Sequence, residues 1–437
     1  MRTIFVCLFL FSSLGLLLRT AFAQSEHEAH AQSDAGTSME NMPGMHMGGG
    51  APSWMPSPHS GSGTAWEPAS VPSHMWMWSR DGWDLMAHGV IFVDYNQQGG
   101  PRGVGKAESV NYAMLMEQHN LWRGTILFRQ MLSAESLTSP HPGFPQIFQT
   151  GETYHGQALV DHQHPHNVFG ELSAYYTMPV AERLSWFVYG GPSAEPALGP
   201  VTYIHRTSAA ELPAAPLSHH LQDSTHTSFG VITTGFVISR VKLEGSVFNG
   251  REPNEERWSI QLNPLDSWSA RVSVAPSRNW TAQYSYGLLL HPEALEVGDQ
   301  RRQTASIEYN RPLARGNWAS SVVWGRKLKI PDNTVLNSYL FESTLNFLDR
   351  NYAYTRMELV DKDELFPQAA THPAYRIGAY TFGGTRDLFQ RHAWQLGLGA
   401  DVTFYSKPAV LDASYGSNPV SFRVFLRVRP GKSEHHP

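Results

Sequence analysis

The sequence has almost no cysteine and no long apolar run beyond its first residues. The single cysteine, Cys7, lies in the apolar run 4–18, between the basic Arg2 and the small-residue site Ala21-Phe22-Ala23. This order is typical of a secretory signal peptide, which is removed on export. We therefore predict a signal peptide at residues 1–23. The mature chain then has no disulfide, although an oxidising compartment would permit one.

The sequence is also poor in charge. Charged residues make up 16% of the 437 residues and aromatic residues 12%, and the formal net charge is -5. No basic excess is present, which argues against a nucleic-acid partner. After Ala23 no apolar run approaches the roughly 20 residues of a transmembrane helix. Export, low charge and many aromatic residues favour a protein whose outer wall faces lipid.

What the sequence does contain is a two-residue alternation, clearest over residues 267–290. One face of its first arm carries Trp268, Ala270, Val272 and Val274, and the other carries Ser269, Arg271 and Ser273. Successive side chains of a strand point to opposite faces, so the pattern predicts strands with one apolar and one polar face. A tilted strand of about ten residues is long enough to cross a bilayer.

The alternation recurs in sixteen segments. They are 83–95, 107–119, 123–134, 166–178, 183–191, 227–239, 241–249, 267–275, 279–290, 302–310, 316–326, 336–348, 352–361, 373–383, 391–404 and 419–429. Short and long connections alternate between them, as in outer-membrane barrels, which have short periplasmic turns and long external loops. We predict an all-β fold, a transmembrane antiparallel up-and-down β-barrel over residues 83–429, with about 16 strands and 14 or 18 as alternatives.

This fold predicts a place and partners for the chain. We expect it in the outer membrane of a Gram-negative bacterium, in contact with outer-membrane lipid, lipopolysaccharide and the barrel-assembly machinery. Residues 430–437 form a tail after the last strand.

Charges of both signs fall on the polar faces of the strands. A charge that faced lipid near the midplane would cost about 2–4 kcal/mol for Arg or Lys, so these side chains are expected to line the lumen. Such charges can pair across the lumen and stiffen the wall, or they can set the ion preference of a pore. We expect a mixture of the two roles. The predicted lumen-lining charges are Glu171, Arg271, Glu308, Glu342, Arg356, Glu358, Arg376, Asp401, Arg423 and Arg427.

Residues 24–82 are rich in Gly, Pro, Ser, Met and His. Aliphatic residues are almost absent, so burial cannot offset the entropy of ordering, and we predict a disordered periplasmic arm. Thioethers favour Cu(I) and imidazoles hold Cu(II), so its clusters are candidate copper ligands. Compositional drift is the alternative. The candidates are Met39, Met42, Met45, His46, Met47, His74, Met75 and Met77.

A second candidate metal site lies in the long loop 134–166, which ends in Asp161-His162-Gln163-His164-Pro165-His166. On an extended segment His162, His164 and His166 project to one side. Neutral imidazole binds Cu(II), Zn and Ni. The alternative is a hydrogen-bonded loop packed into the barrel mouth. The other long loop, 191–227, carries His205, His219, His220 and His226.

The order of parts resembles copper resistance protein B: an exported chain with a Met/His-rich arm, residues 24–80, followed by an outer-membrane barrel, residues 83–429. The segments 161–176 and Phe248-Asn249-Gly250-Arg251-Glu252-Pro253 resemble uncharacterised bacterial outer-membrane β-barrel proteins. The resemblance implies an outer-membrane barrel that handles copper, with periplasmic copper proteins as partners.

Three functions follow as hypotheses. The first is a channel or transport protein for metal ions, with copper favoured. The second is a general porin-like channel for small solutes. The third is a non-transporting barrel whose external loops bind a surface partner. We do not expect an enzyme, because the sequence shows no recognisable nucleophile motif beside a positioned histidine.

Overall fold

The computed structural model describes residues 57–391 and 393–431. The predicted signal peptide and the arm cluster Met39, Met42, Met45, His46 and Met47 lie outside the described residues, as does most of the predicted tail. Among the described residues, no helix has both the length and the apolar character needed to span a membrane.

Most of the described chain is strand. In chain order the strands are β1 (Trp76–Arg80), β2 (Trp83–Gln97), β3 (Gly105–Leu121), β4 (Gly124–Leu132), β5 (Phe144–Pro145), β6 (Glu152–Tyr154), β7 (Gln157–Leu159), β8 (His162–Gln163), β9 (Phe169–Ala181), β10 (Leu184–Ser193), β11 (Val231–Ile238), β12 (Val241–Phe248), β13 (Ser267–Ser277), β14 (Trp280–Leu289), β15 (Asp299–Leu313), β16 (Gly316–Ile330), β17 (Val335–Phe347), β18 (Asn351–Lys362), β19 (Tyr375–Gln390), β20 (Trp394–Ser406) and β21 (Val420–Pro430).

The helical parts are short turns within loops. They are the helices Glu135–Thr138, His219–Gln222 and Asp412–Tyr415 and the 3₁₀ turns Thr207–Ala209, Ser224–His226 and Ala409–Leu411.

Sixteen strands, β2 to β4 and β9 to β21, form a closed antiparallel barrel. Each pairs with its neighbours along the chain, and β2 closes the wall by pairing with β21 over Ile91–Gln97. The predicted fold class and strand count are confirmed, because all sixteen predicted segments are wall strands. The largest difference is at β19, which continues to Gln390 instead of ending at 383.

The alternation predicted for residues 267–290 is present in the wall. Trp268 is 44% exposed on the outer surface, whereas Arg271 in the same strand is 2% exposed. In β21 the side chains of Phe422, Val424 and Leu426 also face outward. The outer wall is therefore apolar and aromatic, and the polar faces of the strands point into the lumen.

The lumen is filled by the chain itself. Three segments occupy it: residues 57–75, residues 144–168 of the loop between β4 and β9, and residues 194–230 of the loop between β10 and β11. We call these three segments the plug. The predicted arm is thus corrected at its C-terminal part. Residues 57–75 are folded because they bind polar groups of the inner wall, which compensates for their few aliphatic side chains.

The contacts of residues 57–75 with the wall are mainly polar. Backbone oxygens of Gly63 and Thr64 accept hydrogen bonds from Arg129 and Lys242, and Ser70 exchanges hydrogen bonds with Asn310. Gly63 is required where it stands, because its φ is +50° and an added Cβ would lie 2.7 Å from Cβ of Glu195. A strand pairing that the sequence did not predict, β1 with β2, follows this segment.

Candidate metal centre in the plug

Five histidines from the two lumen loops form a closed ring of neighbouring imidazoles. Ring centroids are 6.4 Å apart for His164 and His166, 5.2 Å for His166 and His226, and 5.1 Å for His226 and His219. The ring closes through His219 and His220 at 5.2 Å and through His220 and His164 at 6.0 Å. The loop histidines that the sequence placed in two separate segments are therefore brought together.

Carboxylates surround the histidine ring. Nε2 of His164 lies 2.9 Å from Oε1 of Glu152, and Nδ1 of His166 lies 2.7 Å from Oε2 of Glu135. Nδ1 of His219 lies 2.6 Å from Oδ1 of Asp223. Burial opposes ionisation of Asp223, but His219 and then Arg206 lower the pKa of this carboxyl to about 2. The cluster is therefore a buried network of imidazoles and carboxylates.

One part of the network has the geometry of a metal site. Glu152, His164 and His220 each offer one ligand atom, and these atoms all lie within 4.8 Å of one another. His220 is 3% exposed, and neither of its ring nitrogens has a hydrogen-bond partner among the described residues. Its Nδ1 lies 3.9 Å from Oε1 of Glu252, which comes from a third loop. Buried polar groups are normally hydrogen-bonded, so His220 calls for an explanation.

Local backbone geometry places these side chains. Gly151 has a φ of +114°, and an added Cβ would lie 2.7 Å from Cγ of His220. The ring can approach Glu152 only because this position has no side chain. Nδ1 of His164 lies 3.0 Å from the carbonyl oxygen of Pro165. A carbonyl only accepts, so Nδ1 carries a proton, and in the neutral ring Nε2 presents its lone pair to Glu152.

The structure divides the predicted motif 161–166. His164 and His166 join the ring, whereas Asp161 forms an ion pair with Arg102 at 2.6 Å. Nδ1 of His162 lies 3.1 Å from the carbonyl oxygen of Val160. The expected alignment of three histidines on one side fails because the strand ends at Gln163, so the segment is not one continuous strand. Glu152 and Glu252 were missed, since no motif in the sequence marks either carboxylate.

The described part of the arm cluster lies against the inner wall. Met75 and Met77 pack on a buried apolar cluster that includes Met86, Met114 and Met116. His74 and Met75 line a cavity of about 220 Å³ together with Met86, Met114, His88 and His205. Packing is the usual role of methionine, and these contacts account for Met75 and Met77 without a metal.

Most predicted lumen charges are buried on the inner wall, and several bind the plug. Glu342 lies 2.7 Å from Arg206 and 2.7 Å from Arg356. Backbone N–H groups of Leu217 and Ser218 donate to Glu358. The inward-facing members of the predicted set are Glu171, Arg271, Glu308, Glu342, Arg356, Glu358, Asp401, Arg423 and Arg427. Ion pairs with wall and plug partners are present for most of this set, and a role in ion preference stays a prediction.

Arg376 is the exception. Its side chain is 48% exposed and pairs with Asp361 at 2.5 Å. Arg376 lies on the outer face at the start of β19, beside the long loops, so its prediction as a lumen residue is wrong. A charge on the outer face near the membrane interface costs only about 0–1 kcal/mol, and the partner offsets part of that.

Solved structures similar to this chain are outer-membrane barrels of low sequence identity. Pseudomonas putida OprB at high pH is 8% identical with a TM-score of 0.50, over 80% of this chain and 94% of that chain. An anion-selective porin from Comamonas acidovorans is 9% identical with a TM-score of 0.49, over 79% of this chain and 99% of that one.

Salmonella typhi OmpF in complex with daunomycin is 11% identical with a TM-score of 0.49, over 81% of this chain and 100% of that one. No protein-family model matches the sequence, and no curated protein sequence matches it. At 8% identity, the structural similarity to OprB supports the fold of this chain and no further property. The chain has the fold of a porin-like outer-membrane barrel.

Proposed function

We propose that the protein is a porin-like outer-membrane channel for small solutes and that the plug controls passage. The observation that carries the proposal is a sixteen-stranded wall, wide enough for an aqueous channel, whose lumen is filled by segments of the same chain. A cavity of about 220 Å³ lies between plug and wall, smaller than the roughly 300–1,000 Å³ of ordinary ligand pockets. We expect the barrel to be closed to solutes while the plug is in this position.

The contacts between plug and wall support a plug that can shift. Ion pairs and hydrogen bonds hold its central part: Arg206 with Glu342, Glu211 with Arg427, and Ser218 with Glu358. Polar groups of this kind can exchange protein partners for water when the lumen hydrates. An apolar cluster that includes Phe148 and Leu221 anchors the loops nearer the long-loop end. Solutes therefore pass when the polar part of the plug moves.

A reversible crosslink tests the proposal. Oγ of Ser208 in the plug lies 2.7 Å from Oγ of Ser321 in β16, so the double variant S208C/S321C places two thiols within bonding reach. The predicted mature chain contains no other cysteine. We expect the reduced protein to conduct in planar bilayers and the oxidised protein to stay closed. The control S320C/S343C crosslinks β16 to β17, where the two Oγ atoms are 2.9 Å apart, and leaves the plug free.

Two results would count against the proposal, the first against control by the plug and the second against the channel itself. One is equal conductance of oxidised and reduced S208C/S321C, which means that the plug does not control passage. The other is no conductance in the wild type, in the reduced variant or in a variant with the plug contacts weakened, such as Glu342→Ala. That outcome would favour the second candidate, a non-transporting barrel whose loops bind a partner, which the filled lumen also supports.

Selectivity for metal ions, with copper favoured, belongs to the proposal as its finer part. The Met/His composition of residues 39–47 supports it. In the same bilayer recordings, currents that ignore copper salts would remove this part and leave the general channel.

A further inference from the structure

We propose that Glu152, His164 and His220 bind one divalent late first-row transition metal ion, Zn²⁺ or Cu²⁺, and that this ion ties the loops of the plug together. The site joins residues 144–168 to residues 194–230, and Glu252 of the loop between β12 and β13 stands beside it. The inference does not depend on channel activity, because metal binding is measured on the protein in detergent.

Two imidazole nitrogens and one carboxylate oxygen are a donor set that these ions accept. Zn²⁺ takes His nitrogen at about 2.0–2.1 Å and carboxylate oxygen at about 2.0–2.2 Å in tetrahedral geometry. Ligand atoms on a tetrahedron of that radius lie roughly 3.3–3.5 Å apart. The three protein atoms, all within 4.8 Å of one another, need only small adjustments to reach it. Water or Glu252 completes the coordination.

The state of His220 is the independent observation. Within the described part of the chain this buried imidazole has no hydrogen-bond partner at either nitrogen, so it loses its interactions with water and gains none in return. A metal ion at one nitrogen removes that cost. The close approach of Gly151 shows that the backbone leaves room for the ring at this spot, so its position is built into the fold.

The orientation of His164 fits the same interpretation. Metal-binding histidines generally donate the other ring N–H to a carbonyl or carboxylate, which fixes the tautomer. Nδ1 of His164 does this towards Pro165, so Nε2 faces Oε1 of Glu152. At 2.9 Å these two atoms share a proton in a hydrogen bond. The metal ion takes the place of that proton, and the two atoms move apart to roughly 3.3–3.5 Å.

Two arginines near the site do not prevent a cation from binding, because carboxylates lie beside both of them. Arg257 lies 3.7 Å from Oε2 of Glu152, the oxygen that does not face His164. Arg302 lies 3.6 Å from Oε1 of Glu252. Arg302 also lies 3.6 Å from Oε1 of Glu293, outside the proposed site. Arg257 occupies only Oε2 of Glu152, so Oε1 keeps its direction towards His164 and is the oxygen that binds the metal.

Metal titration of the mature protein, with ZnCl₂ and CuCl₂ in separate arms, tests the site. We expect wild type to bind one equivalent more than His220→Ala, with at least about 100-fold weaker binding at this site in the variant, because loss of an outer-shell partner alone costs about 10–100-fold. His291→Ala is the matched control, since His291 is an exposed loop histidine, and it should keep wild-type stoichiometry.

Limited proteolysis supplies a second readout. The hairpin β6–β7 begins at Glu152, so metal should slow cleavage within this hairpin in wild type but not in the near-isosteric Glu152→Gln. This variant also decides the matter if His220→Ala fails to fold. Equal stoichiometry and equal metal protection in wild type and in Glu152→Gln would overturn the proposal. Binding in either metal arm that disappears in Glu152→Gln would support it.

Discussion

At the scale of single residues, buried charges bind the plug to the wall. Arg206 has no exposed side-chain surface, and it pairs with Glu342 at 2.7 Å and with Asp223 at 3.6 Å. Such pairs contribute little relative to apolar replacements, but removal of one partner leaves an uncompensated buried charge. Loss of one partner of such a wall–plug pair should therefore lower the stability of the plugged state.

Truncation of Arg206 should destabilise the folded protein. We expect Arg206→Ala to lower the free energy of unfolding by about 3–5 kcal/mol, the usual cost of breaking a buried pair. Denaturant unfolding in detergent measures this loss of free energy. The matched control is Arg315→Ala, whose ion pair with Asp349 is solvent-exposed and should matter little. Similar losses in the two variants would contradict the role of burial.

Glu195 should make the plug sensitive to pH. Burial raises the pKa of this carboxyl to about 8, against a smaller opposing effect of Arg271 and a hydrogen bond from Ser62. Glu171 and Asp223 also face it and raise the pKa further. The folded state therefore holds a proton that the unfolded chain loses near its ordinary pKa, so stability falls as pH rises from about 4.5 to 8.

The variant Glu195→Gln isolates this effect, because Gln imitates the protonated carboxyl. We expect it to be more stable than wild type above pH 8, on the order of 1 kcal/mol or more, and close to wild type near pH 4.5. Unfolding curves across this pH range provide the measurement. A stability difference that does not change with pH would show that Glu195 does not titrate in this window.

At the scale of elements, each wall strand has an apolar face towards lipid and a polar face towards the lumen. β21 shows this most clearly, with Phe422, Val424 and Leu426 outside and Arg423 and Arg427 inside. The period of two in the side chains matches the two faces of the wall, and a shift of one residue would exchange them. The strand is therefore specified by lipid on one side and by the plug on the other.

Charge on the outer face of β21 should cost most near the middle of the strand. We expect Leu426→Arg to destabilise the barrel by about 2–4 kcal/mol in lipid, the cost for arginine at the midplane. Val420→Arg, on the same face at the strand end, should cost only about 0–1 kcal/mol. The free energies of unfolding of the two variants, measured in lipid vesicles, provide the comparison. Equal costs would mean that this face does not cross the membrane core.

At the scale of the whole molecule, the N-terminal segment completes the barrel interior. Residues 57–75 supply the acceptors for Arg129 and Lys242, and Oγ1 of Thr64 accepts a hydrogen bond from Arg271 at 2.8 Å. Barrel and segment are therefore one folding unit, although the composition of the segment resembles that of a disordered arm.

Truncation separates the role of this segment from that of the residues before it. We expect deletion of residues 24–75 to raise conductance and to lower stability, since Lys242 and Arg271 lose buried partners. Deletion of residues 24–56 should leave both unchanged, because this deletion keeps the segment that contacts the wall. Planar bilayer recordings and unfolding curves measure the two effects. Equal behaviour of the two truncations would exclude residues 57–75 from the closed state.

The sequence alone determined the wall. Alternation between apolar and polar residues is a local pattern, and it recurs in every wall strand because each strand has lipid on one face and the lumen on the other. The sixteen strands and the inward charges could therefore be predicted from neighbouring residues. Arg376 was wrongly predicted to face the lumen. Charged side chains point inward near the middle of the membrane, but at the interface an outward charge costs little.

Only the tertiary structure decided what fills the wall and which residues meet there. His164 and His220 are 56 positions apart, Glu152 carries no motif, and residues 57–75 contain too few aliphatic side chains to suggest burial. Their partners lie on distant strands and loops, and polar contacts of this kind produce no periodic pattern in the sequence. The plug and its candidate metal centre therefore depend on closure of the barrel, which brings these separate polar groups into one buried space.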